Sequence, residues 1–263
     1  MKSGSEYKTA GMQFLLNIVA AGFSLMAHII CMLLLSPAVT SAFSVPEKLI
    51  FDLSWTGVKA GTAVLEVVDE KDTLRVISTA NSAKWVSVFY LVDDRVEAVL
   101  DKGKSRIFIG HPKNYRLKSR EGKHRRDREF VFDHVKHTAI FIDHLDKKKK
   151  EYPVPENVFD PLSVLYYVRT MKLEVGKSAY VDVFDSKKLW NVEVQVLRKE
   201  KISTVMGDVE TIVIKPLLQS EGIFNRKGEI IIWLTDDQRR IPVKMQSKVV
   251  VGAITATLVG GTY

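Results

Sequence analysis

The feature that most constrains this chain is a run of period-two alternation from Gly228 to Leu258, which reads as three successive strands joined by two tight connections. In its first strand Ile230, Ile232 and Leu234 fall on one face and Ile231, Trp233 and Thr235 on the other. Both faces are mostly apolar, so this strand needs cover on both sides. Asp236-Asp237-Gln238-Arg239 is a polar turn. Ile241, Val243 and Met245 then alternate with Pro242, Lys244 and Gln246, the pattern of a half-buried strand. Pro242 has no N–H for a ladder and belongs at a strand start or on an edge. Gly252 permits a bend before Ile254, Ala256 and Leu258 resume the alternation.

Similar runs fill the remainder of the chain. Leu49–Trp55, Gly61–Val68, Thr73–Ala80, Arg95–Leu100, Arg106–Ile109, Ala179–Phe184, Leu189–Leu197 and Val209–Pro216 are expected strands, separated by polar or glycine-bearing turns. One segment breaks the pattern with helical spacing. Asp160 suits an N-cap and Pro161 the first helical position, and Leu162, Leu165, Tyr166 and Arg169 share one side. This predicts a helix over about 161–173 packed on a sheet. Lys84–Leu91 is expected to be a short helix at a sheet end, its rings Trp85 and Phe89 plugging the core; a lid over a pocket is the functional alternative, and continuous strand the structural one. Lys147–Lys150 reads as a solvated loop, and Asp93-Asp94 and Asp236-Asp237 as turn residues. The expected fold is mainly β: antiparallel, strongly curved sheets or an incomplete β-barrel with one packed α-helix. A single domain over residues 43–263 accommodates it, with two sheet-forming blocks meeting near 150–160 as the variant.

The N-terminus carries a different signal. Lys2 and Lys8 precede an apolar run from Phe14 to Leu35, Ser36-Pro37 breaks it, and Thr40-Ser41-Ala42 supplies small residues. Residues 1–42 are therefore expected to be a secretory signal peptide. The run is nearly long enough to span a bilayer, which makes an uncleaved anchor the alternative. The expected location is the periplasm. The only cysteine, Cys31, lies inside this segment without the small residues that precede a lipidated cysteine. Cleavage after Ala42 leaves 221 residues with no cysteine and a net charge of +7. Disulfides, thiol catalysis and thiolate metal sites are then excluded from the mature chain.

The densest charge lies at Tyr115–Arg128. Two strands joined around Glu121-Gly122 are expected, with Arg116, Lys118 and Arg120 on one face and Arg126 and Arg128 on one face of the next. These five residues form a candidate site for an anionic headgroup, because guanidinium forks pair with phosphate and carboxylate. A solvated hairpin whose charges prevent edge-to-edge pairing is the plainer alternative. Asp133, His134 and His137 have zinc-ligating chemistry, but their turn spacing matches no zinc motif, and solvated turn histidines are expected instead. No cofactor or metal is expected. Aromatic interleaving for base stacking is missing, so no nucleic-acid partner is expected either. There is no G-x-S-x-G elbow and no phosphate loop.

Several spaced residues carry a resemblance: Trp55-x-Gly57-x-x-Ala60-Gly61, Asp160-Pro161-Leu162-Ser163-x-Leu165-Tyr166-x-x-Arg169, Gly207 with Thr211, and Lys215-Pro216 with Phe224. The strongest part is Ile232-Trp233-Leu234-Thr235-x-Asp237-x-x-Arg240-x-Pro242-Val243 followed by Gly252. As a set they resemble the bacterial envelope proteins grouped as domain of unknown function 3108. The resemblance implies exported, sheet-rich proteins with no established activity and carries over no catalytic residue. The functional expectation is a non-catalytic envelope protein binding a lipid or another amphipathic envelope molecule, with an anionic lipid or glycan as partner. A structural or assembly factor holding another envelope protein is the alternative, and a hydrolase-type enzyme stands third.

Overall fold

The computed structural model describes residues 44–102, 109–217, 229–249 and 251–263. The chain divides into the units Met1–Val39 and Thr40–Tyr263. The first, like the leader expected over residues 1–42, lies outside the described residues, as do most of the expected strand Arg106–Ile109 and Phe224 of the resemblance.

The strands of the second unit are β1 (Glu47–Trp55), β2 (Val58–Glu70), β3 (Thr73–Ser82), β4 (Val92–Asp101), β5 (Pro112–Glu121), β6 (His124–Asp133), β7 (Thr138–Asp143), β8 (Lys148–Pro153), β9 (Val158–Phe159), β10 (Ser178–Asp185), β11 (Lys188–Thr204), β12 (Gly207–Leu217), β13 (Ile230–Thr235), β14 (Pro242–Lys248) and β15 (Ala253–Thr262). Two helices interrupt them, α1 (Lys84–Ser87) and α2 (Ser163–Thr170). All fifteen strands form one sheet in the order β8-β7-β6-β5-β4-β3-β2-β1-β15-β14-β13-β12-β11-β10-β9. The expected curved antiparallel architecture is borne out, with one exception: β9 pairs with β10 in parallel.

Two chain segments that are neighbours in sequence thus stand at opposite edges of the sheet, and the first and last of the described strands meet in its middle. β1 pairs with β15 from Lys48↔Thr262 to Trp55↔Ile254. The sheet curls until its two wings touch: Phe130 on β6 meets Phe184 on β10 edge-on at 5.3 Å, and Tyr152 on β8 lies 5.7 Å from the same ring. Alternation supplies the concave face. Leu49 and Phe51, Leu65 and Val67, Tyr115 and Leu117, Phe130 and Phe132, Val192, Val194 and Val196, and Ile212 and Ile214 are all buried. β13 is covered on both faces, as its pattern requires, with Ile232 through Thr235 buried. Pro242 opens β14.

α2 closes the end of the curl at which β1 begins. It is shorter than the expected 161–173. Asp160 Oδ1 accepts the N–H groups of Leu162 and Ser163, so the Asp160-Pro161 turn leads into the helix without belonging to it. Tyr166 and Val168 are buried, worth roughly 1.5–3 kcal/mol each by area. Arg169 is buried with them. Its guanidinium donates to both carboxylate oxygens of Glu47 on β1, at 2.7 Å each, and to the Arg239 carbonyl in the β13–β14 turn. Helix, first strand and that turn are thereby tied at one point.

Three local expectations are corrected. Lys148–Lys150 belong to the edge strand β8, whose lysines face solvent on both sides; a charged edge resists pairing with other chains. Asp93 and Asp94 lie within β4, not in a turn. Residues 84–91 do not plug the core, since no residue of α1 is buried and Phe89 just beyond it is 85% exposed. The inner faces of β4 and β5 are filled by their own alternating side chains, which leaves no space there for an extra ring.

Candidate functional site

The basic hairpin forms where expected, with Gly122-Lys123 as its turn, but the register divides its charges. Arg116, Lys118 and Arg120 stand opposite Glu129, Asp127 and Arg125 on the outer face. Arg126 and Arg128 stand opposite Ser119 and Leu117 on the inner face, the face of Phe130. The five candidate residues therefore do not make one cationic surface. The hairpin register pairs even-numbered residues of β5 with odd-numbered residues of β6, so Arg120 and the 126/128 pair fall on opposite faces although even numbers separate them.

Each side also has its own acids. Outside, Arg116 is held by Asp127, Nε donating at 2.9 Å and Nη2 at 3.1 Å; the pairing lowers the Asp127 pKa, with the hydrogen bond from Arg116 as its main cause. Inside, Arg128 lies 3.4 Å from Asp143 and Arg126 3.7 Å from Glu121. Arg126 and Arg128 line a hollow of about 20 Å³ with Tyr115, Leu117, Phe130, Asp185 and Ser186. That is room for about one water molecule. A phosphate entering it would meet the buried Asp185 carboxylate beside the arginines.

A different set of residues converges at the end of the sheet away from α2. Antiparallel connectivity brings the β1–β2 turn, the α1 segment, the β5–β6 turn and the β14–β15 turn to this one rim. Side chains bind these connections together. Trp85 Nε1 donates to the Lys59 carbonyl at 2.9 Å, and Trp55 Nε1 to the Val251 carbonyl at 2.9 Å. Gly122 N donates to Leu91 O at 2.7 Å, and the Tyr90 ring lies so close over Gly122 that a Cβ there would meet it at 2.9 Å. Gly252, at φ +80°, seats against Trp55 and Thr56. The indole N–H groups are thus satisfied while both rings remain half-exposed.

What the rim presents is apolar. Trp55, Val58, Trp85, Val88, Phe89, Tyr90 and Val251 are all exposed, Val88 at 77% and Val251 at 67%. Beside them Lys84, Lys123 and Arg125 are exposed and form no ion pair among the described residues. Lys59, also at the rim, is paired with Asp52. Large apolar side chains gathered at one place on a surface mark a contact site. The sequence contains the sign of this site, an aromatic run that departs from strand alternation. What it lacks is the information that α1 would lie outside the packed interior.

The histidines and acids of the turns and of the α2 entry make local contacts. His134 is half-buried, contrary to expectation, and sits between two backbone carbonyls, with Nε2 2.7 Å from Pro112 O and Nδ1 3.0 Å from Glu156 O. Asp133 caps its own turn through the N–H groups of Val135 and Lys136, and His137 is exposed. This trio therefore does not converge. His111 packs 4.9 Å from His134; burial first, then the charge of His134, pushes its pKa down. Buried Asp160 has its pKa raised to about 6 by desolvation, against the hydrogen bonds it accepts from Ser163 and Leu162. Each of these groups is engaged in a turn or packing contact, and no nucleophile–base–orienter relay links them.

Fold and rim define a class: a curled, incompletely closed β-sheet protein, packed inside, with an amphipathic surface at one end. The family model for a protein of unknown function, DUF3108, matches residues 50–259, and the chain belongs to that family. No curated protein matches it. Among solved structures, a β-barrel-like protein of domain of unknown function DUF1849 from Brucella abortus is similar at a TM-score of 0.54 and 14% identity, over 84% of this chain and 98% of that one. A candidate lipoprotein from Parabacteroides distasonis aligns at a TM-score of 0.34 and 11% identity, over 84% of this chain and 98% of that one.

Proposed function

We propose that this protein is a non-catalytic component of the cell envelope that binds an anionic amphipathic molecule, a lipid in the first instance, at its rim. The observation that carries this is the contiguity of Trp55, Trp85, Val88, Phe89 and Val251 with Lys84, Lys123 and Arg125, cations that form no ion pair among the described residues. Apolar side chains take the tail and ammonium or guanidinium groups take the head. The hollow of about 20 Å³ beside Arg126 and Arg128 is too small for an acyl chain, which favours the rim over that hollow as the site. The apolar N-terminal run, followed by the small residues Thr40-Ser41-Ala42, supports export to the periplasm.

The test is titration with an anionic lysophospholipid below its micelle concentration, followed by tryptophan fluorescence. A saturable blue shift is expected, lost in Val88→Ser/Phe89→Ser. No shift, or one unchanged in that variant, overturns the proposal. The same packed interior and exposed apolar rim suit an assembly factor, and a stoichiometric protein partner lost in the same variant would favour that role.

A further inference from the structure

We infer that the rim docks on an intact bilayer surface containing anionic lipid, with the segment from Lys84 to Tyr90 entering the headgroup region. This rests on the rim being the amphiphile site and adds the physical form of the partner. The exposed rim residues come from several separate turns. The hollow described above is lined by other residues, on the inner face of β5 and β6. Side chains that project from a rim in this way meet a plane better than they envelop a single molecule. Val88 and Phe89 are the most exposed of the α1 segment, while Trp55, Trp85 and Tyr90 are less exposed, with both indole N–H groups bonded to the protein backbone. Aromatic rings with an apolar body and a polar tip concentrate at headgroup depth.

Charge complementarity selects the lipid. Lys84 begins α1, and Lys123 and Arg125 lie at the β5–β6 turn packed against Tyr90, so these cations flank the apolar tip. Among the described residues, the acids nearest the apolar tip are engaged. Asp52 pairs with Lys59, Glu121 with Arg126, Asp94 accepts the Arg120 N–H, and Asp93 faces Arg120 across the ladder. Cations held close to a surface are attracted by anionic headgroups over about one Debye length, and this attraction is screened by salt.

The experiment places an environment-sensitive fluorophore on Phe89→Cys in the full chain carrying Cys31→Ser, with Val135→Cys as the control. Val135 is 91% exposed in the β6–β7 turn, at the opposite end of the sheet. Vesicles with about one quarter phosphatidylglycerol should raise the signal at position 89 and not at 135; Lys84→Glu/Arg125→Glu, or raising salt from about 0.1 to 0.5 M, should weaken the apparent affinity about tenfold or more. A silent position 89, an equal rise at 135, or equal binding to vesicles of phosphatidylcholine alone overturns the inference. If monomeric lysophospholipid still raises the signal at 89 while vesicles do not, the amphiphile site stands and bilayer docking falls. If both are silent, both fall.

Discussion

Arg169 is among the largest side chains in this protein to be completely buried, and its partner Glu47 is 1% exposed. A buried pair is poor evidence for stability as such, because desolvation offsets much of the Coulomb attraction. Breaking it on one side is another matter. Arg169→Met should cost about 3–5 kcal/mol, since it strands the Glu47 carboxylate in the core; adding Glu47→Leu should recover most of that. Denaturant midpoints of the two variants check this, and equal losses would show that the charges themselves hold α2 in place. Asp160 makes the opposite kind of contribution. Its pKa is raised from 3.8 to about 6, so the folded state keeps a proton that the unfolded chain releases. The stabilisation from this group is complete below about pH 4 and is lost as pH rises through about 6, a swing of about 3 kcal/mol. Asp160→Asn should therefore show a flatter stability profile between about pH 4 and 6 than the native chain, measured by urea unfolding at stepped pH. Parallel profiles would mean that the carboxyl is ionised at both ends of that window.

At the scale of elements, strands were the most legible part of the sequence, because alternation and burial are two descriptions of one fact. Ile230–Thr235, with both faces apolar, forms a strand with both faces buried. The helix was legible in position but not in length. Asp160 and Pro161 announce its start, yet Asp160 bonds Leu162 and Ser163 in a preceding turn, and the α-helix itself begins only at Ser163. The basic hairpin shows a sharper limit. Its two strands and its turn follow from the sequence, but which charges share a face depends on pairing register, and a turn at Gly122-Lys123 sends Arg126 and Arg128 inward. The α1 segment shows another. Trp85, Val88 and Phe89 have the composition of a core cluster, and only the completed inner faces of the strands reveal that the core has no need of them. Lys148–Lys150 form a strand against their own propensity because β7 offers a free edge. These misses share a cause: each turns on what a neighbouring strand has already supplied, which local sequence does not encode.

The second unit is knit at its middle by its first and last described strands. β1 and β15 are the central pair of a fifteen-stranded sheet, while the edges β8 and β9 are joined by four residues, 154–157. A version of the second unit with Tyr263 linked to residue 44 by a short flexible connector, and opened at 154–157, would run through the strands in sheet order. Such a permutant should reach the same fold, checked by circular dichroism and by hydrogen exchange on β1; failure to fold would show that the edge connection is needed. In the natural order there is a consequence in time. During synthesis β1 is made before the other described strands, yet one of its two neighbours, β15, is made after all of them. The two wings can form as separate meanders, but the pairing that unites them waits for the final ten-residue strand. Until then one side of β1 stays unpaired, and the finished sheet is assembled in a single late step.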